Sequence, residues 1–299
     1  MSQPIHIKFT RFSAFYSPLI ATIAGGFLVK EGFATTHSVC GPGESPQSGV
    51  VDGSVQVAQW APAQAFPPLE RGEQPPVVHF AQINERDGFF VVGRRAEPDF
   101  SWRGLIDKTV LVDHALQPLT MFKHGCRSNG VDPAAIAIVD AGQLTMEDAF
   151  RSGRGDYIVL QGPAPQQIEH DGAGKVVAAV GESFGPIAFS SLVARRDWLE
   201  GGDAARFMKA YRAARDWVID SDAAAIAEAE QPFFPGIATA ALARSIHVYQ
   251  RLGCWSRPVE ISRPAFEVLL DVYQQAGLIT RRHHYEDVVG TKTFPESAK

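Results

Sequence analysis

Asp52-Gly53-Ser54-Val55-Gln56-Val57-Ala58-Gln59-Trp60-Ala61-Pro62-Ala63-Gln64 and Gly155-Asp156-Tyr157-Ile158-Val159-Leu160-Gln161-Gly162-Pro163-Ala164-Pro165-Gln166 share one pattern. Each is a Gly-marked turn, a short apolar strand, a Gln at the strand's end and a Pro able to open a helix. In open α/β sheets, ligands bind outside the carboxyl ends of the strands. Two matching strand ends, roughly a hundred residues apart, predict two similar lobes facing one cleft. The plainer reading is chance likeness, because βα turns are common.

Composition bounds the function. At 299 residues the chain has room for one large domain or two lobes. Its 45% apolar and 20% charged content is that of a soluble globular protein. A net charge of -5 and the absence of any Lys/Arg run argue against nucleic acid as a partner. Cys40, Cys126 and Cys254 are too few and too scattered for a disulfide framework or a Cys-rich zinc site. The odd count leaves at least one free thiol.

Lys8 and Arg11 precede the apolar stretch 12–29, a loose imitation of a secretory signal. A structural reading fits better. Ile5, Ile7 and Phe9 alternate as a strand does, Ser17-Pro18 resembles an N-cap and N1 pair, and 19–31 reads as a buried helix stopped by Gly32. No convincing cleavage site is present after it, and the run is short for a membrane span, which needs ~20 apolar residues. The expectation is no membrane insertion and no export signal in the chain as given. That leaves a cytoplasmic location open beside a periplasmic one reached through a signal since lost.

The rest of the pattern is β and α in alternation. Strands are expected at 5–12, 34–40, 55–59, 77–83, 89–92, 109–112, 135–139, 157–160, 176–180 and 187–193, with helices at 18–31, 47–52, 62–70, 115–129 and 146–151. The polar turn 84–88 and Glu182-Ser183-Phe184-Gly185-Pro186 are natural crossings between lobes. They divide the chain into lobe 1, residues 1–86 plus 187–299, and lobe 2, residues 87–186. Further helices are expected at 203–219, 223–229, 237–252 and 264–276, and the tail after Tyr285 reads as loosely held. Parallel strands joined by helices imply a mainly parallel, helix-flanked sheet in each lobe.

This order of elements resembles the type II periplasmic-binding-protein fold, and specifically the SsuA/THI5-like (NMT1-like) group of substrate-binding proteins. Ala24 through Lys30-Glu31-Gly32-Phe33 resembles the family's first helix and its exit. Val51-Asp52-Gly53-Ser54-Val55-Gln56-Val57-Ala58 resembles its strand entry. Leu105-Ile106-Asp107-Lys108-Thr109-Val110 resembles the start of its second lobe, with Asp107 where Gly is usual. Gly130-Val131-Asp132-Pro133 resembles the turn after that lobe's first helix. Ser190-Ser191-Leu192-Val193-Ala194 and the helix around 207–218 resemble the return strand and its following helix. The resemblance implies an α/β protein with its cleft between lobes. It also implies capture of a small polar, planar or anionic compound (a sulfonate, nitrate or pyrimidine vitamin precursor) for an ABC permease, by a protein that is often a monomer. Some relatives are enzymes on this fold, including a pyrimidine precursor synthase and a sulfinate desulfinase. The synthase's Cys-rich motif is not evident here. Fold alone does not fix function.

Site candidates are argued from position after strands. Arg11 is suited to an anion and the aromatic group Phe12, Phe15 and Tyr16 to a planar body; the alternative is a surface charge beside core rings. Cys40 precedes the Gly-rich turn 41–43 and invites a nucleophile reading with His37 or His114 as base, against the commoner inert thiol. Gln59 and Gln161, one from each echo, are expected to clamp one ligand by their amides, with Trp60 offering a flat face. Asp113 and His114 open the second lobe's first helix. His114 is a donor or, in an enzyme, a proton shuttle. Glu182 and Phe184 sit at the second crossing. His283-His284 is read as a surface pair. No serine elbow, zinc-protease motif or dinucleotide fingerprint is present, and no cofactor is expected.

Overall fold

The alternation of Ile5, Ile7 and Phe9 places all three side chains on one face of an extended segment, and in the structure all three are buried. The structure is a computed structural model and describes residues 2–290 and 294. Its strands are β1 (Gln3–Phe9), β2 (Phe33–Val39), β3 (Val57–Trp60), β4 (Val78–Asn84), β5 (Phe89–Gly93), β6 (Thr109–Leu111), β7 (Ala137–Val139), β8 (Tyr157–Gln161), β9 (Lys175–Ala179) and β10 (Ser190–Ala194). Its helices are α1 (Ser17–Ala24), α2 (Phe27–Lys30), α3 (Pro46–Asp52), α4 (Phe66–Glu70), α5 (Leu116–Ser128), α6 (Met146–Arg151), α7 (Ala164–His170), α8 (Arg196–Glu200), α9 (Gly202–Asp220), α10 (Ala223–Glu230), α11 (Thr239–Leu252), α12 (Arg263–Gln275) and α13 (Tyr285–Val288).

Among the described residues two five-stranded sheets form, in the orders β2-β1-β3-β10-β4 and β7-β6-β8-β5-β9. In the first, β1 is parallel to β2 and β3, and β10 is antiparallel to β3 and β4. In the second, β6 is parallel to β7 and β8, and β5 is antiparallel to β8 and β9. Four strands of each sheet therefore share one direction, and the crossing strand opposes them. This is the two-lobed α/β arrangement expected from the sequence, with mixed sheets.

The two echoed segments are equivalent strands. β3 and β8 each hold third place, between a parallel strand and the crossing strand. Gly53 and Gly155, just before them, both have left-handed backbones, with φ of 84° and 70°. Glycine adopts that region without a Cβ clash. A Cβ at Gly155 would also lie 2.9 Å from Leu111.

One apolar cluster runs through both lobes, and a smaller one lies behind each sheet. The alternation of strands divides residues between them: Val110 faces the shared core and Leu111 the cluster behind, as do Val159 and Ile158. α9 buries Phe207, Tyr211, Ala214 and Val218 on one stripe. Its Arg215 is fully buried and donates to the carbonyls of Gln82, Ile83 and Ser256. The end of β4 is thereby tied to the segment after α11.

Several boundaries differ from expectation. The helix expected over 18–31 breaks after Ala24, where Gly25 leaves room for the Phe27 ring (a Cβ there would sit 2.4 Å from it) and Gly26 turns left-handed at φ 70°. It is not buried throughout: Val29 is 66% exposed. Ser17 is inside α1, with Tyr16 at the cap position, and its hydroxyl donates to the Ala14 carbonyl and is hydrogen-bonded to the Glu230 carboxyl. The segment expected as a helix over 62–70 starts as a 3-10 turn, Pro62–Ala65, before α4. The tail is anchored beyond Tyr285: Val289 pairs with His79 of β4, the Gly290 amide donates to the His79 carbonyl, and Phe294 is buried. Among the described residues no helix is long and apolar enough to cross a membrane.

Candidate functional site

β1 and β8 end facing one another, and the backbone of Gly162 joins them. The Gly162 carbonyl accepts from Ser13 Oγ at 2.6 Å and from the Ala14 amide at 3.1 Å. Its amide donates to Tyr249 Oη on α11 at 2.7 Å. Tyr249 in turn donates to the carbonyl of Gly88, in the first crossing, at 2.8 Å. One phenol thus links the second sheet's strand end to a crossing, from a helix of the C-terminal third. Gly162 has no room for a side chain: a Cβ would lie 2.0 Å from Ser245 Oγ.

Beside this junction lies a cavity of about 240 Å³. Arg11, Phe12 and Ser13 come to it from the first sheet, Glu147 and the segment 160–164 from the second, and Phe233, Phe234, Pro235 and Ile237 from the loop between α10 and α11. Phe12 meets Phe233 edge-on at 5.2 Å, and His37 packs on Phe233 at 4.9 Å. Arg11 and Asp113 approach to 3.9 Å with side chains 55% and 36% exposed. A pair so exposed is worth about 0–1 kcal/mol. The Tyr16 hydroxyl lies 3.5 Å from Gln161 Oε1. Burial pushes the Tyr16 phenol up, while Arg11 nearby opposes the shift.

The structure brings some expected residues together and sets others aside. Arg11 and Gln161 line the cavity, Tyr16 touches Gln161, and Asp113 faces Arg11. The paired-amide clamp is not formed. Gln59 is 3% exposed, accepts from the Thr10 amide and hydroxyl, and donates to Ser190. Its amide is committed to holding the end of β1. Trp60 stacks on the buried His79 at 6.3 Å rather than offering an open face. Phe15 is a core ring, packed on Phe189 and Tyr249, with its carbonyl accepting from Asn84 and Trp255.

Cys40 is a half-buried free thiol whose pKa burial raises, the opposite of an activated nucleophile. The turn after it is closed by Glu44, which takes the Gly41 amide and pairs with Lys8. His114 is exposed, with its amide on Asp140. Glu182 is exposed, and Phe184 meets His124 of α5 edge-on at 4.7 Å. Neither lines the cavity described. His283 is not a surface residue: it is buried, stacked on Phe66 and 2.8 Å from Glu70.

Sequence reasoning missed Glu147 and the Phe233-Phe234-Pro235 loop. The signal was present in Gln231-Pro232-Phe233-Phe234-Pro235-Gly236, adjacent aromatic residues between prolines in a turn, where rings are held without being buried in a helix face. It also missed two carboxyls near the junction. Asp87, in the first crossing, is fully buried, and burial raises its pKa to about 8 although it accepts the Phe89 amide. Glu230 is buried against Ser17 and is also pushed well up by burial.

A family model described as NMT1/THI5 like matches residues 14–225. "Putative binding protein YtlA" of Bacillus subtilis is 25% identical over 284 residues, covering 93% of this chain and 84% of that protein. The periplasmic aliphatic sulphonate binding protein SsuA of Escherichia coli superposes with a TM-score of 0.74 at 12% identity, over 100% of this chain and 96% of that one. The ligand-binding component of an ABC-type import system from Staphylococcus aureus, solved with zinc bound, gives 0.74 at 14% identity over 99% of each chain. At such identities the two structures speak for the fold alone. The family match is of another kind, because it runs through both crossings and most of both sheets: the chain belongs to the NMT1/THI5-like family.

Proposed function

We propose that the protein is a solute-binding protein of the ABC-import type, which captures a small polar, planar or anionic molecule between its lobes by hinge closure. The observation that carries this is the cavity at the ends of β1 and β8, walled by both sheets and by the α10–α11 loop. A molecule seated there touches all three at once, so its binding energy favours the closed arrangement over the open one. The bodies that hinge are residues 1–86 with 187–299, and 87–186. Arg11, Phe12 and Gln161 are the proposed ligand contacts among the residues singled out from the sequence, with Tyr16 and Asp113 beside them and Phe233 added by the geometry.

The partner is a permease that recognises the closed form, and the protein works as a monomer. The periplasmic description of the E. coli relative supports an extracytoplasmic site of action. The test is thermal unfolding against pyrimidines, thiamine precursors, sulfonates, nitrate and aromatic acids, with mass spectrometry of each mixture afterwards. A ligand at 100 times its Kd stabilises by about 2.7 kcal/mol. Stabilisation with the ligand recovered unchanged is the expected result. A new mass would replace the carrier with an enzyme, and no stabilisation by any compound would remove the ligand classes named.

A further inference from the structure

Phe12, Phe233 and Phe234 on one side and Leu160, Pro163 and Ala164 on the other make the cavity largely apolar, and two charges interrupt them. Arg11 enters from the end of β1, and among the described residues its one ion pair is the loose, exposed contact with Asp113. Glu147, in the first turn of α6, lines the cavity from the second sheet. Among the described residues its carboxylate has no hydrogen bond and no ion pair. The cation one turn away, Arg151, is already committed to Asp171 at 2.6 Å. Burial raises the Glu147 pKa, although the charge of Arg151 opposes the shift, as expected for a carboxylate partly withdrawn from water with no hydrogen-bond partner.

An anion held by Arg11 alone would leave Glu147 unpaired and drier on closure, and a half-buried unpaired carboxylate is costly. A ligand that also brings a cationic or N–H donor group removes that cost. We infer that the ligand is dipolar: an anionic group held by Arg11, an amino or amidine-like group held by Glu147, and an apolar planar body between them against Phe12 and Phe233. This rests on the solute-binding reading and names its ligand class.

The experiment is calorimetric titration with benzoate, 4-(aminomethyl)benzoate and benzylamine, on the wild type, Glu147→Gln and Arg11→Gln. Both substitutions are at positions that leave the core untouched, and melting curves verify folding. The aminomethyl acid should bind at least tenfold more tightly than either singly charged probe. Glu147→Gln should erase its advantage over benzoate, and Arg11→Gln its advantage over benzylamine. Equal affinity for benzoate and its aminomethyl derivative overturns the inference and leaves the solute-binding reading standing. A preference for the aminomethyl acid that survives Glu147→Gln overturns the role of Glu147. Binding of none of the three overturns the inference too. The wider thermal panel, which does not depend on these probes, separates that result from failure of the solute-binding reading.

Discussion

The phenol of Tyr249 stands between two backbone groups of different parts of the chain, accepting from the Gly162 amide and donating to the Gly88 carbonyl. Tyr249 is fully buried, so Tyr249→Phe leaves both groups without a partner and without water. An unsatisfied buried group costs about 1–3 kcal/mol. Urea titration should show a loss of that order or somewhat more, and affinity for any ligand in the cavity should fall with it, because Gly162 lines the cavity.

Gly162→Ala should be destabilising by about 1–3 kcal/mol, the usual cost of overpacking, since its methyl would lie 2.0 Å from Ser245 Oγ. Ser245→Gly removes that atom. The double substitution should recover a good part of the loss, whereas equal stability of the single and double variants would place the strain elsewhere.

The pH dependence of stability should carry two opposite slopes. Asp87 has its folded pKa raised to about 8, so the native state holds a proton that the unfolded chain releases above its ordinary value of 3.8. Stability from this group falls as pH rises between those values and levels off above the higher one. Glu230 adds a slope of the same sign. His79, fully buried and lowered to about 3, acts in reverse, and its contribution is lost as pH falls below 6.5. Between about pH 6.5 and 8 Asp87 continues to act after His79 has levelled off, with a slope approaching about 1.4 kcal/mol per pH unit. Melting curves of Asp87→Asn, which can still accept the Phe89 amide, should show a clearly shallower decline across that interval.

Gln59 and Gln161 should respond differently to the same change. Gln59→Leu strips partners from Thr10 and Ser190 and should cost about 1–3 kcal/mol of stability. Gln161→Leu should leave stability within about 0.5 kcal/mol, the usual range at unburied positions, and reduce ligand affinity. Paired urea and titration data on both variants decide it.

That contrast also marks how far the sequence could be read. The echo was legible because it encodes local backbone demands: a left-handed glycine before the strand, a short apolar run within it and a proline-opened helical turn after it. Here those demands recur in the two strands that take third place in their sheets. What the glutamine does lies outside them. Thr10 and Ser190 reach Gln59 from segments far away in the chain, and no local pattern announces them. The break after Ala24 was hidden for a similar reason. A glycine pair within an apolar run weakens a helix without ending it by rule, and the left-handed turn at Gly26 and the Phe27 ring folding back over Gly25 are seen only in the fold. The anchored tail depends on β4 as its partner, which a loop-like composition does not reveal.

The place of β10 has a consequence for how the molecule is made. Every strand of the second sheet lies within residues 89–179, so that sheet can be completed while the ribosome is still adding the C-terminal third of the chain. The first sheet cannot. β3 and β4 are not neighbours in it, and the slot between them stays empty until residues 190–194 emerge and insert. Although the chain begins with the first sheet, closing that sheet is a late event that spans more than half the sequence, and until then two strand edges stand open to any chaperone or wrong partner.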